Sequence, residues 1–399
     1  MLHYYQLTGS RTAKTLAQQL ATGIADLRAG SGSVWPYGGF LDYSRSFSLW
    51  HGYGSNQVEA LAQAGIILDK PAWVAMATQG AQGLLVHVSV ANGLEIEGLE
   101  PGPVDQTQIA YGATSMFQDY LALATVTHSQ RFSALAGLTL GWYFGANRGR
   151  YQMYNPQTGI AFDGINSNGT LNRNSGAEST IEALMALEDA ARHPTLSRFV
   201  PSGPPIANRV PLTVPASDGL VSNGQVVTPA SNWTGQGAFT NGSYVVLKPG
   251  GQDTLYANVS LPGMDKIQVE ASPTSTTEAV QVTIAGNTST VTFQGISGMT
   301  VSNPVYLSLK SAPGTVPVYQ GLSRIHLSLP STAPGPIAID SVVLQPALES
   351  ASWATAGKVT TVLKNMSGHT VSWTGANIEK AKESIPPYGF AVVTTKYTK

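Results

Sequence analysis

Two hydrophobic periods divide this chain. Residues 1–195 repeat apolar positions at helical spacing, and residues from about 215 onward alternate at strand spacing. The spacing predicts a helix over 12–27, with Ala13, Leu16, Leu20, Ile24 and Leu27 on one face and Gly30 as its stop. A second spans 56–68 with Val58, Leu61 and Ala62 inward. Asp69 and Pro71 mark a fresh start for a third over 72–88. Three more follow: 107–127 (Ile109, Met116, Phe117, Tyr120, Ala124), 131–144 (Phe132, Leu135, Leu138, Trp142) and 176–192 (Ile181, Leu184, Met185, Leu187). This gives six helices in roughly antiparallel pairs.

Prolines at 201, 204, 205, 211 and 215 then predict a stiff, extended linker. Beyond it, short alternating runs at 243–247, 253–259, 266–271, 279–284, 289–293, 305–310, 323–329 and 337–344 are separated by Gly, Pro and Asn turns. Strands at that spacing predict a β-sandwich or jelly roll. Residues 358–395 predict three further strands, either an appendage or a sheet packed back on the helices. The expected fold class is multidomain, α then β. An antiparallel helical-hairpin domain (1–198) leads through a linker (199–217) to a β-sandwich (218–348) and a small C-terminal β segment (349–399).

Composition narrows the function. Net charge is −1 and only 11% of residues are charged, so nothing predicts attraction to nucleic acid or an anionic membrane. The 42% hydrophobic content supports a packed core. The absence of cysteine excludes disulfides, thiolate metal sites and Cys nucleophiles. No apolar run approaches the ~18 residues of a transmembrane helix. The first residues lack the apolar core of a signal peptide, although a leader could have been removed before Met1. A surface rich in Gly, Ser, Thr and Asn suits an extracellular or cell-surface protein that meets neutral polar ligands.

Three stretches could carry chemistry. The connection after Gly141 runs for about thirty residues, where ordinary helix–helix links take ~2–8. It carries Tyr151, Tyr154, Asp163, Asn166, Asn172, Arg173 and Asn174, and closes on Ser175-Gly176-Ala177-Glu178, a capping-box pattern. Glu178 either caps its own helix or faces the loop as an acid or base. Asp163, flanked by apolar neighbours, is its expected partner, because glycoside cleavage needs two carboxyl groups. The second stretch, 35–53, interleaves Trp35, Tyr37, Phe40, Tyr43, Phe47, Trp50, His51 and Tyr53 with small polar residues. Such rings either stack on sugar faces or form an aromatic mini-core under a loop. The third, Glu95, Glu97, Glu100 and Asp105, is either a carboxylate cluster or an exposed loop before a helix cap at Asp105–Gln108. The seven His are scattered without metal-ligand spacing, and no G-x-S-x-G elbow is present.

The segments YGSNQVEALAQAG (53–65), QIAYGATSMFQDYLAL (108–123), GWYFGAN (141–147), FDGI (162–165) and NRNSGAESTIEALMAL (172–187) resemble the α/α-toroid carbohydrate-active enzymes. The resemblance implies glycoside hydrolysis of a poly- or oligosaccharide. Glu178 and Asp163 would be catalytic. Trp35, Tyr37, Trp50, His51, Tyr53, Asn166, Asn172, Arg173 and Asn174 would bind substrate. A non-catalytic glycan-binding or surface structural protein is the alternative, and a polysaccharide lyase or epimerase, with His51, Tyr53, Arg148 and Arg150 in the groove, is a third. A complete toroid has about twelve helices, so a longer enzyme, a second chain or a second copy would complete the ring. Residues 220–346 resemble a jelly-roll carbohydrate-binding module. There an aspartate matching Asp340 often helps hold a structural Ca²⁺, but its usual acidic partners are not evident in this sequence. No catalytic metal or other cofactor is expected.

Overall fold

The computed structural model describes residues 1–42, 50–52, 55–91, 97–98, 107–166, 168–231, 239–273, 277–294, 308–374 and 382–396. An N-terminal helical region is followed by a large β-rich region. The chain forms two compact units that do not follow chain order. The first comprises Met1–Gly98, Asp105–Asn208 and Ser350–Lys399, and the second Leu99–Val104 and Arg209–Glu349.

In the first unit, α1 (Leu2–Thr8) ends at a left-handed Gly9. The Ser10 side chain caps α2 (Arg11–Asp26) by accepting the Ala13 amide. The inward face of α2 differs from the expected one. Ala13, Ala17 and Ala21 are buried, whereas Leu16 (40% exposed) and Leu20 (62%) face outward. An alanine row at i, i+4 lets a helix lie close to its neighbour, and the leucines sit about one position round the cylinder.

Helix α3 (Gln57–Ile67) packs on α4 (Pro71–Gly80). The run expected as one helix over 72–88 continues through a π-helical turn, Ala81–Leu85, into α5 (Val86–Ala91). A Cβ at Gly83 would lie 2.0 Å from the Tyr37 carbonyl, so only glycine permits this approach. Helix α6 (Ala110–Thr127) is buried around most of its circumference and packs against α3, α7 (Gln130–Leu140) and α8 (Ala177–Arg192). A helix apolar all round belongs at the centre of its layer.

The C-terminal strands join this unit. Phe390–Lys396, Lys358–Asn365, Leu348–Thr355 and Ala207–Arg209 form a four-stranded sheet in that order. Phe390 meets Phe132 of α7 at 5.4 Å with the rings tilted by 44°, and Arg131 donates to the Phe390 carbonyl (3.3 Å). The tail therefore packs back on the helices.

Among the described residues of the second unit, ten strands share one hydrogen-bonded network. The two strands expected at 243–247 and 253–259 are one long strand, Tyr244–Val259, whose pairing with Leu220–Val227 is bulged at Ser222/Gly224. The proline-rich segment contributes Leu212–Pro215, paired with Ile337–Pro346. Alternate residues, including Val245, Leu255, Val269, Val282, Ile325 and Ile339, form one apolar core. Among the described residues of either unit, no helix is long and apolar enough to cross a membrane.

Candidate functional site at the start of α6 and α8

The long loop is built rather than slack. Buried Asn147 donates to the Trp142 (2.9 Å) and Tyr151 (2.7 Å) carbonyls and accepts the Tyr151 amide (3.0 Å), which fixes its first turn. Gln108–Ile109, Gly164–Ile165 and Leu171–Asn172 then pair as a three-stranded ribbon. Asp163, just before the central strand, is its fastening. Its amide donates to the Asn174 carbonyl (2.8 Å), and its carbonyl accepts the Ala110 amide (3.0 Å) at the start of α6. Its Oδ1 accepts from the Gly176 amide (3.0 Å) and the Ser179 hydroxyl (2.7 Å) at the start of α8.

Helices α6 and α8 run in the same direction. The Thr114 hydroxyl reaches the Glu182 carbonyl (3.1 Å), and further along Gln118 donates to Asp189 (3.4 Å). Both positive helix ends therefore lie at the loop. There Tyr111, Asp163 and Glu178 form one electrostatic group. Burial raises the Tyr111 hydroxyl, and the charges of Glu178 and then Asp163 raise it further, which keeps the phenol protonated as a hydrogen-bond donor. Glu182, one turn along α8, is raised by burial and then by Glu178.

The expected capping box does not form. The N-cap is Gly176, Glu178 is exposed, and Asp163 supplies the acceptor from outside the helix. Asn166 donates to Thr170 (3.0 Å), its carbonyl accepts from Arg148 (2.7 Å), and Asn172 accepts the Asn174 amide (3.1 Å). Arg173 and Asn174 are exposed.

The aromatic stretch lies elsewhere and deeper. Trp35 (7% exposed), Tyr37 (4%), Trp50 (1%) and His51 (8%) are buried. Tyr37 meets Trp35 edge-on at 5.7 Å and His87 at 5.0 Å. Rings enclosed in this way form the mini-core of the two readings and present no open face for a sugar. Tyr53, Tyr43, Phe47, Glu95, Glu100 and Asp105 lie outside the described residues, as does the side chain of Glu97.

A second polar cluster, which the sequence did not single out, surrounds the start of α3. Asp42 accepts from the His51 amide (2.6 Å) and from Gln57 (3.2 Å). Asn56 joins Gln118 (3.3 Å) and Ser115 (3.1 Å), and buried Asp119 accepts the Glu59 amide (2.8 Å). Burial raises Asp42 and Glu59, raises Asp119 most, and lowers His51. Ser55, His51 and Asp42 are not a nucleophile relay, because the Ser55 hydroxyl donates to the His51 carbonyl and not to its ring. The only local hint was Asp119, an acid in the middle of an apolar helical run. Tyr111 gave no signal, since a tyrosine in a core helix reads as packing. Among the described residues, no three His, Asp or Glu side chains gather as a metal site.

No family model matches this chain, and no curated protein does. Solved structures resemble it over about a third of its length. A family 35 carbohydrate-binding module from Clostridium thermocellum is 16% identical over 35% of this chain and 100% of its own, with a TM-score of 0.28. The GH26-CBM35 β-(1,4)-mannanase of Podospora anserina is 19% identical over 34% of this chain and 27% of its own, at 0.26. The exo-β-1,3-galactanase of Phanerochaete chrysosporium is 15% identical over 34% and 29%, also at 0.26. This chain thus spans little more than a quarter of those two enzymes, and likeness this loose assigns no activity.

Proposed function

We propose that the first unit is a glycoside hydrolase-like domain that cleaves a poly- or oligosaccharide beside the first turns of α6 and α8. The carrying observation is the convergence of Asp163 and Glu178 on Tyr111 at two positive helix ends. Glu178, exposed on α8, serves as general acid or base. Asp163 is held by Oδ1, and its other carboxyl oxygen is the one assigned to water or the sugar. Tyr111 donates to a sugar oxygen, and Asn166, Asn172, Arg173 and Asn174 meet the outer hydroxyls. The buried rings of Trp35, Tyr37 and Trp50 belong to the packed scaffold. The protein acts outside the cell or at its surface.

Product release from a polysaccharide panel, with masses determined, tests this reading. Wild type should add one water per cleavage, and Glu178→Gln should release nothing. Release without added water would indicate a lyase. Equal release by both proteins would remove Glu178 from the mechanism. The use of Asp163 Oδ1 as a helix cap favours one other reading, a binding protein without turnover. In that case no substrate is cleaved and Asp163 variants lose only stability.

Two further expectations belong to this proposal. Large apolar residues stay exposed on α2 (Leu16, Leu20) and on α8 (Ile181, Leu184, Met185), which supports completion of the helical array by another chain or copy. Sedimentation at rising concentration would reveal self-association. In the second unit, buried Asp340 accepts the Thr240 amide (2.9 Å) through Oδ1 and lies beside the Thr240 and Ser341 hydroxyls. Hard oxygens gathered in a buried site are the ligand type of Ca²⁺, with Asp340 and Thr240 as its proposed ligands. Chelation should then lower the melting temperature, and added Ca²⁺ should restore it.

A further inference from the structure

The last strand of a sheet leaves one row of N–H and C=O groups open to another strand, and folded chains blunt such edges with short strands, bulges, prolines or lysines. Among the described residues, five strands of the second unit have a single partner, and four of them carry such a device. Leu212–Pro215 and Val316–Val318 are short and contain Pro215 and Pro317. Ser308–Ser311 is short and bears the exposed Lys310. Leu220–Val227 is bulged at Ser222/Gly224. The fifth, Asn287–Gln294, has none of these. It is eight residues long, pairs without a shift along Thr277–Ile284, and contains neither proline nor a charged residue.

The side chains of this strand define what can dock there. Val291 and Phe293 are fully buried in the core, and Thr288, Thr290 and Thr292 are exposed on the opposite face. Across the hairpin these threonines stand opposite Thr283, Gln281 and Ala279, and the one acid of the neighbouring strand, Glu278, is buried. The exposed face is therefore neutral. Two such strands related by a two-fold axis pair antiparallel, so each residue meets one on the same face of the other copy. A slip of one residue would set threonines against core side chains. The central registers that keep the faces matched put Thr290 opposite Thr290 or opposite Thr292. In both, threonine meets threonine and no charge meets a like charge, so the edge is complementary to itself. An eight-residue edge falls short of the ~1,200 Å² that a lasting complex buries, so the pairing is weak and reversible.

We propose that the open edge of Asn287–Gln294 docks the same strand of a second copy, joining two β-rich units into one continuous antiparallel sheet. The pairing needs neither the reaction proposed at Asp163 and Glu178 nor the exposed apolar rows of α2 and α8.

Single cysteines in the full chain test it, because the chain has none of its own. Opposed residues of an antiparallel pair have Cα atoms ~4.5–5.5 Å apart, within reach of a disulfide. Thr290→Cys and Thr292→Cys are oxidised alone and mixed, beside Thr332→Cys in an exposed turn as the collision control. Position 290 should cross-link with itself or with 292 at least tenfold faster than the control, and the pair that does so gives the register. Thr290→Lys mixed with Thr290→Glu should associate at least tenfold tighter than either variant alone, in sedimentation at up to ~1 mM, while the thermal melt of each stays unchanged. Cross-linking no faster than the control, or equal association of the mixed and separate variants, would overturn the proposal. Rapid cross-linking of Leu20→Cys alone would also overturn it, by placing self-association on α2.

Discussion

Asp119 on α6 accepts the Glu59 amide at the first turn of α3, and Asp163 on the long loop accepts the Gly176 amide at the start of α8. Each carboxylate caps a helix to which it does not belong. Asp119 is enclosed (1% exposed), and burial drives its carboxyl well upward while it accepts the amide inside the packing. Asp163 is half-buried at the rim, where Tyr111 and Glu178 share its field. One hydrogen-bonding device thus supports a core in one place and a proposed reaction site in the other. Access to solvent and to neighbouring charges, not the capping bond, separates the two roles.

The comparison breaks most decisively at Glu178. Replacing this exposed acid with Gln should lower turnover by about 10²-fold or more. It should change stability by less than about 0.5 kcal/mol, as read by denaturant unfolding. A stability loss without an activity loss would reassign Glu178 to the helix.

Asp119→Ala should show the opposite pattern. It leaves the Glu59 amide without its acceptor in a closed site and should cost about 3 kcal/mol. Asp119→Asn, which keeps an acceptor, should cost less than about 1 kcal/mol. Chemical denaturation of both variants checks this, and equal losses would show that charge rather than capping is needed there.

Asp253, in the second unit, extends the enclosed case. It is fully buried, and desolvation pushes its carboxyl up to about 6. The folded state then holds a proton that the unfolded chain, with an ordinary carboxyl near ~3.9, has released. Stability contributed by this group is present below pH ~4 and falls as pH rises through 6, by on the order of 3 kcal/mol. Asp253→Asn should flatten that slope in pH-dependent melts and raise the melting temperature at pH 7. An unchanged slope would place the titration elsewhere.

A smaller stability loss than at Asp119 or Asp253 is expected at Asp163 itself. Asp163→Ala should cost about 1 kcal/mol, the usual value of a lost cap. If the proposal holds, the same variant loses turnover far beyond what that destabilisation explains. Kinetics measured well below the melting temperature separate the two effects.

Much of the chain could be read from period alone. The helices over 56–68, 107–127 and 176–192 and most of the strands between 243 and 344 fall within a few residues of their expected places, because burying one face imposes the period directly on the residues that line it. The α2 face was misread because leucine is more apolar than alanine, and the pattern does not record that a close helix contact requires the smaller side chain. The pairing of Asp163 with the start of α8 had a local sign in the polar loop. The identity of the capping group did not, because Ser175 and Glu178 satisfy the same sequence rule as a cap that arrives from thirteen residues away.

The sequence by itself determined the division into helical and β-rich halves, the absence of thiol chemistry and the placing of polar groups in the loop after Gly141. Each follows from composition or from short-range periodicity. Tertiary structure alone decided that the last fifty residues return to the helices, that Trp35, Tyr37 and Trp50 lie inside, and that Tyr111 joins Asp163 and Glu178. These outcomes depend on which surfaces meet across long chain separations, and that is settled by shape and desolvation between segments rather than by any pattern within one of them.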